Sequence, residues 1–197
     1  MRARPDVIIT EIPPDRAQIA LDSYRRSGEV KEPRTRVFPE YTDVVIPMSE
    51  RLGWRVVGAA AWTPEIAANR REALKGIEQD KSRAQQWAEH MAANRAFAKA
   101  VAGRSDDPLF IHTDRFDHLV AASREPYARH FDADLGAGGW TAINRAHTDL
   151  IASALDAISG QGLTAIITFG TAHKYKILES LTAREDIALQ DARALFG

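Results

Sequence analysis

The sequence has no cysteine. Disulfides, cysteine-held zinc and a thiolate nucleophile are therefore excluded. It has no excess of either charge: 26 Lys+Arg face 27 Asp+Glu, a formal net charge of -1. A basic footprint for nucleic acid and an acidic tail are both missing. Long apolar runs are missing too. The first one, within MRARPDVIITEIPP, is far too short for a signal peptide or a membrane span and lies between Asp6 and Glu11. The expectation is a cytoplasmic protein with neither nucleic acid nor a membrane as partner. No G-x-S-x-G elbow, P-loop or H-E-x-x-H occurs, and no internal repeat or low-complexity segment.

What remains is 197 residues, enough for one α/β domain with a sizeable core or two small ones, and 6 His which, with carboxylates, could ligate a metal. Three short β-branched runs stand out: DVIIT (6–10), WRVVGAAA (54–61) and LTAIITF (163–169). Each is continuous rather than alternating, as in a strand buried on both faces of a parallel sheet. Helical patterns separate them. PPDRAQIALDSYRRSG has prolines at its entry and Gly28 at its exit. EYTDVVIPMSERLGW is expected to be a helix interrupted at Pro47. TPEIAANRREALKGIEQD and RAQQWAEHMAANRAFAKAVAG follow, the second with Trp87, Met91 and Phe97 at core spacing. The stretch RSDDPLFIHTDRFDHLV is expected to hold a loop and a short helix, with residues 126–139 irregular. A long amphipathic helix begins at Trp140 and another follows Ala172, while IALQD (187–191) is a marginal fourth strand. The fold class expected is α/β, a mainly parallel central sheet flanked by helices, as one domain over 1–197 with an inserted helical layer at about 64–125.

Ligands of open parallel sheets bind beyond the carboxyl ends of the strands. The first strand runs into Glu11, and the third into Gly170-Thr171-Ala172-His173. Gly170 permits a sharp turn and close approach of a ligand. Thr171 is a natural N-cap, and His173 then falls in the first helical turn, where a positive helix end favours the neutral imidazole that metals require. The bland alternative is an ordinary β-to-α turn with a surface histidine, and a Glu11 that merely accepts helix N–H groups. In the long helix, Asn144 and His147 fall on or beside the apolar stripe of Trp140, Ile143, Leu150, Ile151, Leu155 and Ile158. They are either satisfied core residues or the lining of a pocket at the same end of the sheet. Asp114, Asp117 and His118 fit a solvated, capped helix better than a metal face. GAGGW fits a loop or lid better than an anion cradle.

The segments RPDVIITEIPPDRAQ, SERLGWRVVGAAAW, GWTAINRAHTDLIASAL and LTAIITFGTAHKYKILESL occur in the order that resembles the TraB/GumN/TIKI-like superfamily. That broad group includes erythromycin esterases and haem-binding ChaN-like lipoproteins, and the nearest likeness is to uncharacterised bacterial TraB-like proteins. The resemblance implies an erythromycin esterase/ChaN-like α/β fold, with Glu11 as the strand-end acid and His173 as the late histidine. Family members carry Arg-Asn or Arg-Asp near Asn144, where this chain has Ile143 before it and Arg145 after it. An Asp-Trp that often ends the second strand is Ala61-Trp62 here. Relatives also begin with a strand bearing a first Gly-x-x-His, which this sequence does not contain.

The resemblance and the residues together lead to a hydrolase, metal-dependent in the first instance. Glu11 and His173 would be the catalytic pair and the ligands of a divalent metal (Mn, Co or Zn). Gly170, Thr171, Trp140, Asn144, Arg145 and His147 would bind a small-molecule or peptide substrate. Haem or small-ligand binding of the ChaN-like kind is one alternative. A catalytically degenerate domain acting as a homodimer, through the sheet edge that the family's first strand would otherwise cover, is the other.

Overall fold

A computed structural model describes residues 4–196. The chain packs as two compact units, one from residues 1–61 and 146–170, the other from 62–145 and 171–197.

The first unit is built on three parallel strands in the order β2-β1-β3, with β1 Val7–Thr10 in the middle, β2 Arg55–Gly58 on one side and β3 Ala165–Thr168 on the other. The register aligns Ile8 with Val56 and Ile166, and Thr10 with Gly58 and Thr168. All four residues of β1 are buried, which is why that run is apolar without alternation. Ile8, Val56 and Ile166 face a cluster with Ile12, Ala17, Tyr41, Val45 and Trp54. Helix α1, Pro14–Ser27, enters on its prolines and ends on Gly28 at φ 71°, the left-handed cap that a glycine adopts without strain. The Pro47 segment is a wide π-helical turn, Glu40–Val45, running directly into α2, Ile46–Leu52. Pro47 sits in the first turn of α2, where its missing N–H costs little.

The second unit is helical. Thr63 accepts from the Ile66 N–H and starts α3, Pro64–Gln79. α4, Ala84–Val101, lies along α6, Asp114–Leu135, with the short α5, Pro108–Ile111, between them in sequence. Two clusters hold them. One gathers Ile77, Tyr127, Phe131 and Leu135 with Trp87 and Trp140; the other gathers Val101, Phe110, Phe116 and Val120 with Phe97 and Tyr175. His90, not Met91, is the buried residue of α4's middle turn. Its ring lies among those of Trp87, Tyr127 and Phe131, whereas Met91 is exposed.

Three expectations are corrected here. Residues 126–135 are not irregular: α6 runs through Pro126 to Leu135. Proline removes one helical hydrogen bond, yet Phe116, Val120, Ser123, Tyr127, Phe131 and Leu135 form one buried face across it, and that burial outweighs the loss. Residues 187–191 form no strand; they are irregular and lead into a short 3-10 turn at Ala192–Leu195. Thr171 is not an N-cap. It is exposed in the turn before α8, Lys174–Thr182, and His173 itself occupies the cap position, with no side-chain cap bond.

α7, Trp140–Asp156, belongs to both units in sequence, Trp140 to Arg145 in the helical one and Ala146 onward in the sheet unit. Asp132 sets its start, with one carboxylate oxygen accepting from the Trp140 N–H and the other from the Thr141 N–H at 3.0 Å. The glycines before it make this contact possible. A Cβ on Gly139 would lie 2.9 Å from the Asp132 carboxylate, and one on Gly138 2.9 Å from the Arg70 Cβ. GAGG is therefore a close-packed turn.

Candidate functional site at the carboxyl ends of the strands

In the sheet unit, β1 and β3 are parallel neighbours, so the residues that follow them emerge side by side. The Glu11 carboxylate accepts from the Gly170 N–H at 2.7 Å, and the Glu11 N–H donates to Thr168 O at 3.1 Å. Glu11 is only partly exposed, and burial pushes its pKa up. The Gly170 bond opposes that rise, while the Glu40 carboxylate adds to it. The acid is therefore protonated more readily than an ordinary glutamate.

His147, in the sheet unit's part of α7, is 0% exposed. Its Nδ1 accepts from the Ala61 N–H at 2.9 Å, and its ring meets Phe169 edge-on. Burial lowers its pKa to about 4, so the ring is neutral at pH 7. Because Nδ1 is an acceptor, the one proton of the neutral ring resides on Nε2.

In the helical unit, His173 stacks on Trp140 with ring centroids 5.0 Å apart and planes inclined by 19°. Its Nδ1 lies 2.8 Å from Asn144 Oδ1. The orientation of that amide follows from its other bond. Asn144 Nδ2 donates to Trp140 O at 2.7 Å, which leaves Oδ1 as the acceptor for a proton on His173 Nδ1. In the neutral ring Nε2 of His173 then carries the lone pair. Trp140 is held in turn by its indole N–H, which donates to Tyr175 Oη at 2.8 Å. Lys174, the residue after the imidazole, is anchored to Asp117 at 2.6 Å.

Glu11 and His147 in the sheet unit, and His173 in the helical unit, are of the residue kinds that ligate divalent metals. The donor chemistry fits unevenly. Glu11 and His173 present an oxygen and a lone-pair nitrogen, whereas His147 would have to move its proton to Nδ1 and surrender the Ala61 bond before Nε2 could ligate. In the tautomer that the structure sets, His147 is a hydrogen-bond donor.

Of the residues singled out from sequence, Trp140, Asn144 and His173 form one bonded group, and Glu11 and Gly170 another. Thr171 and Arg145 are exposed. Asp114 and His118 form the solvated helix start anticipated, with His118 Nδ1 at 2.7 Å from Asp114 O. The sequence reading missed Arg124 and Tyr175. Arg124 stands four residues after Val120 on α6, a cation on a buried face. Ending the helix at Pro126 concealed that signal.

The architecture defines a broad class, an α-rich α/β protein with a small parallel sheet flanked by helices. Compared with known proteins, the chain matches no family model, no curated protein and no solved structure. Among the described residues no helix is long and apolar enough to cross a membrane.

Proposed function

We propose that the protein is a hydrolase with His173 as its base and Glu11 as its acid. The observation that carries this reading is the Trp140–Asn144–His173 arrangement, in which a half-buried imidazole is held flat on an indole with Nδ1 engaged by an amide oxygen. With Nδ1 so engaged, Nε2 is the nitrogen assigned to chemistry in this reading, since a neutral imidazole has one acceptor nitrogen. His173 Nε2 takes a proton from water as it attacks an ester or amide carbonyl. Glu11, whose burial favours its protonated form, gives a proton to the departing oxygen or nitrogen. Solvent then returns the His173 proton to Glu11. Glu11 grips the Gly170 N–H, and His173 follows three residues later.

A metal-dependent version of the same hydrolysis is the second reading, because Glu11 and His173 are of kinds that ligate divalent metals. Glu11 and His173 would hold the ion, with His147 joining only in its other tautomer. A bound divalent metal supplies a more acidic water and polarises the carbonyl. The likeness to the TraB/GumN/TIKI-like superfamily agrees with either version and rests on the short motifs quoted above.

The test is turnover of a panel of aryl esters and aryl amides by protein dialysed against EDTA, with and without Mn²⁺, Co²⁺ or Zn²⁺. His173→Ala should lower kcat by about 10²–10⁴-fold while circular dichroism stays unchanged. Full turnover in that variant refutes the role. Activity retained after EDTA supports the acid–base version, and activity restored only by added metal supports the other.

A further inference from the structure

The helical unit contains a cation in no ion pair among the described residues. Arg124, on α6, is partly buried, and its guanidinium carbon lies 4.9 Å from the centroid of the Trp140 ring. Among the described residues its Nε has no hydrogen-bond partner. Burial lowers the Arg124 pKa, Tyr127 and Tyr175 oppose that, and Arg70, on α3, adds to it. Arg70 donates to Tyr127 Oη at 3.0 Å, a neutral acceptor. Neither guanidinium is in an ion pair among the described residues. Leaving a buried N–H without an acceptor is unfavourable, and an acceptor from outside would meet the Arg124 Nε.

The location matters as much as the charge. Trp140 carries both Arg124 and His173 against its indole. The indole is thus a neighbour shared by the guanidinium and the imidazole. A planar, five-donor fork beside an aromatic surface is the arrangement that binds carboxylate or phosphate oxygens in pairs. Resting on the hydrolase reading, we propose that Arg124, reinforced by the charge of Arg70, binds an oxyanion group of the substrate, a carboxylate or a phosphate, beside Trp140. The substrate is a small organic anion, with its scissile bond toward His173 and its charged end toward Arg124.

The probe is phenylphosphonate, with benzamide as the neutral control, titrated into the full chain by calorimetry at low salt. Wild-type protein should bind phenylphosphonate at least about tenfold more tightly than benzamide, with the margin shrinking as salt rises. Arg124→Gln should remove the margin. Arg124→Lys, which keeps the charge without the fork, should retain part of it. No margin in wild type, or a margin that survives Arg124→Gln, overturns the proposal. Melting curves verify that both variants fold, and if Arg124→Gln does not, Arg124→Lys decides. Binding is read independently of turnover. An anion margin without hydrolysis of any ester sinks the hydrolase reading and leaves the anion site standing. Hydrolysis without a margin does the reverse.

Discussion

At the scale of single residues, the side chains matter through the proton each one holds. Asn144 is the clearest case, because its Nδ2 is committed to Trp140 O and only its oxygen is left for His173. Under the proposed hydrolysis it would be a positioning residue, acting through the imidazole. Asn144→Ala should lower turnover about 10–100-fold, the usual effect of losing an orienting partner. It should also let His173 adopt the Nε2–H tautomer, visible in ¹⁵N chemical shifts of the ring. An unchanged tautomer in the variant would count against this role. His147 illustrates the opposite assignment. Its Ala61 bond makes Nδ1 an acceptor, so two histidines, similar in sequence, present different atoms.

At the scale of elements, the site depends on how closely chain segments approach. Gly58 ends β2, and a Cβ there would lie 2.5 Å from Ile12 O and 3.0 Å from Pro13 O. These are backbone atoms of the segment directly after Glu11, so they cannot yield cheaply. Gly58→Ala should cost about 1–3 kcal/mol, as overpacking does, in urea unfolding. It should also impair catalysis more than a stability loss alone explains, because Glu11 must shift with Ile12. A fully active variant of native stability would show that the approach is less tight than described. α6 offers the converse experiment. Pro126→Ala supplies the missing N–H inside a helix whose buried face is already continuous. The gain should be about 1 kcal/mol or more, since an interior proline costs about 3 kcal/mol and its rigidity in the unfolded chain offsets part of that. A lower urea midpoint for Pro126→Ala would contradict it.

At the scale of the molecule, one buried imidazole links stability to pH. The pKa of His147 is lowered from 6.5 in the unfolded chain to about 4 in the fold. Between those values the unfolded chain binds a proton that the folded protein refuses. Its contribution is therefore present above pH 6.5 and is lost as pH falls toward 4. Going from pH 7 to pH 5 should cost about 2 kcal/mol through this residue. Glu11, with a raised pKa, acts in the opposite sense, and its contribution fades as pH rises. The two are separated by comparing wild type with His147→Gln in urea at both pH values, with EDTA present. The wild type should show the extra loss at pH 5, and parallel behaviour of the two proteins would rule it out.

The sequence by itself determined the three strands, their parallel class and most helix ends, because β-branched runs, prolines and capping glycines act locally. It also determined that Glu11 and the Gly170–His173 turn would emerge at strand ends, since parallel strands point their carboxyl ends the same way. Only the tertiary structure decided the rest. The burial of Tyr127, Phe131 and Leu135 against α3 and α4 carried α6 past a proline that local rules treat as a stop. The turn geometry placed His173 at the cap position instead of Thr171. Which nitrogen of each histidine is available, and that Arg124 lies against the same indole as His173, depend on partners far away in sequence. Hydrogen-bond direction and desolvation are properties of packed neighbours, and no periodicity along the chain encodes them.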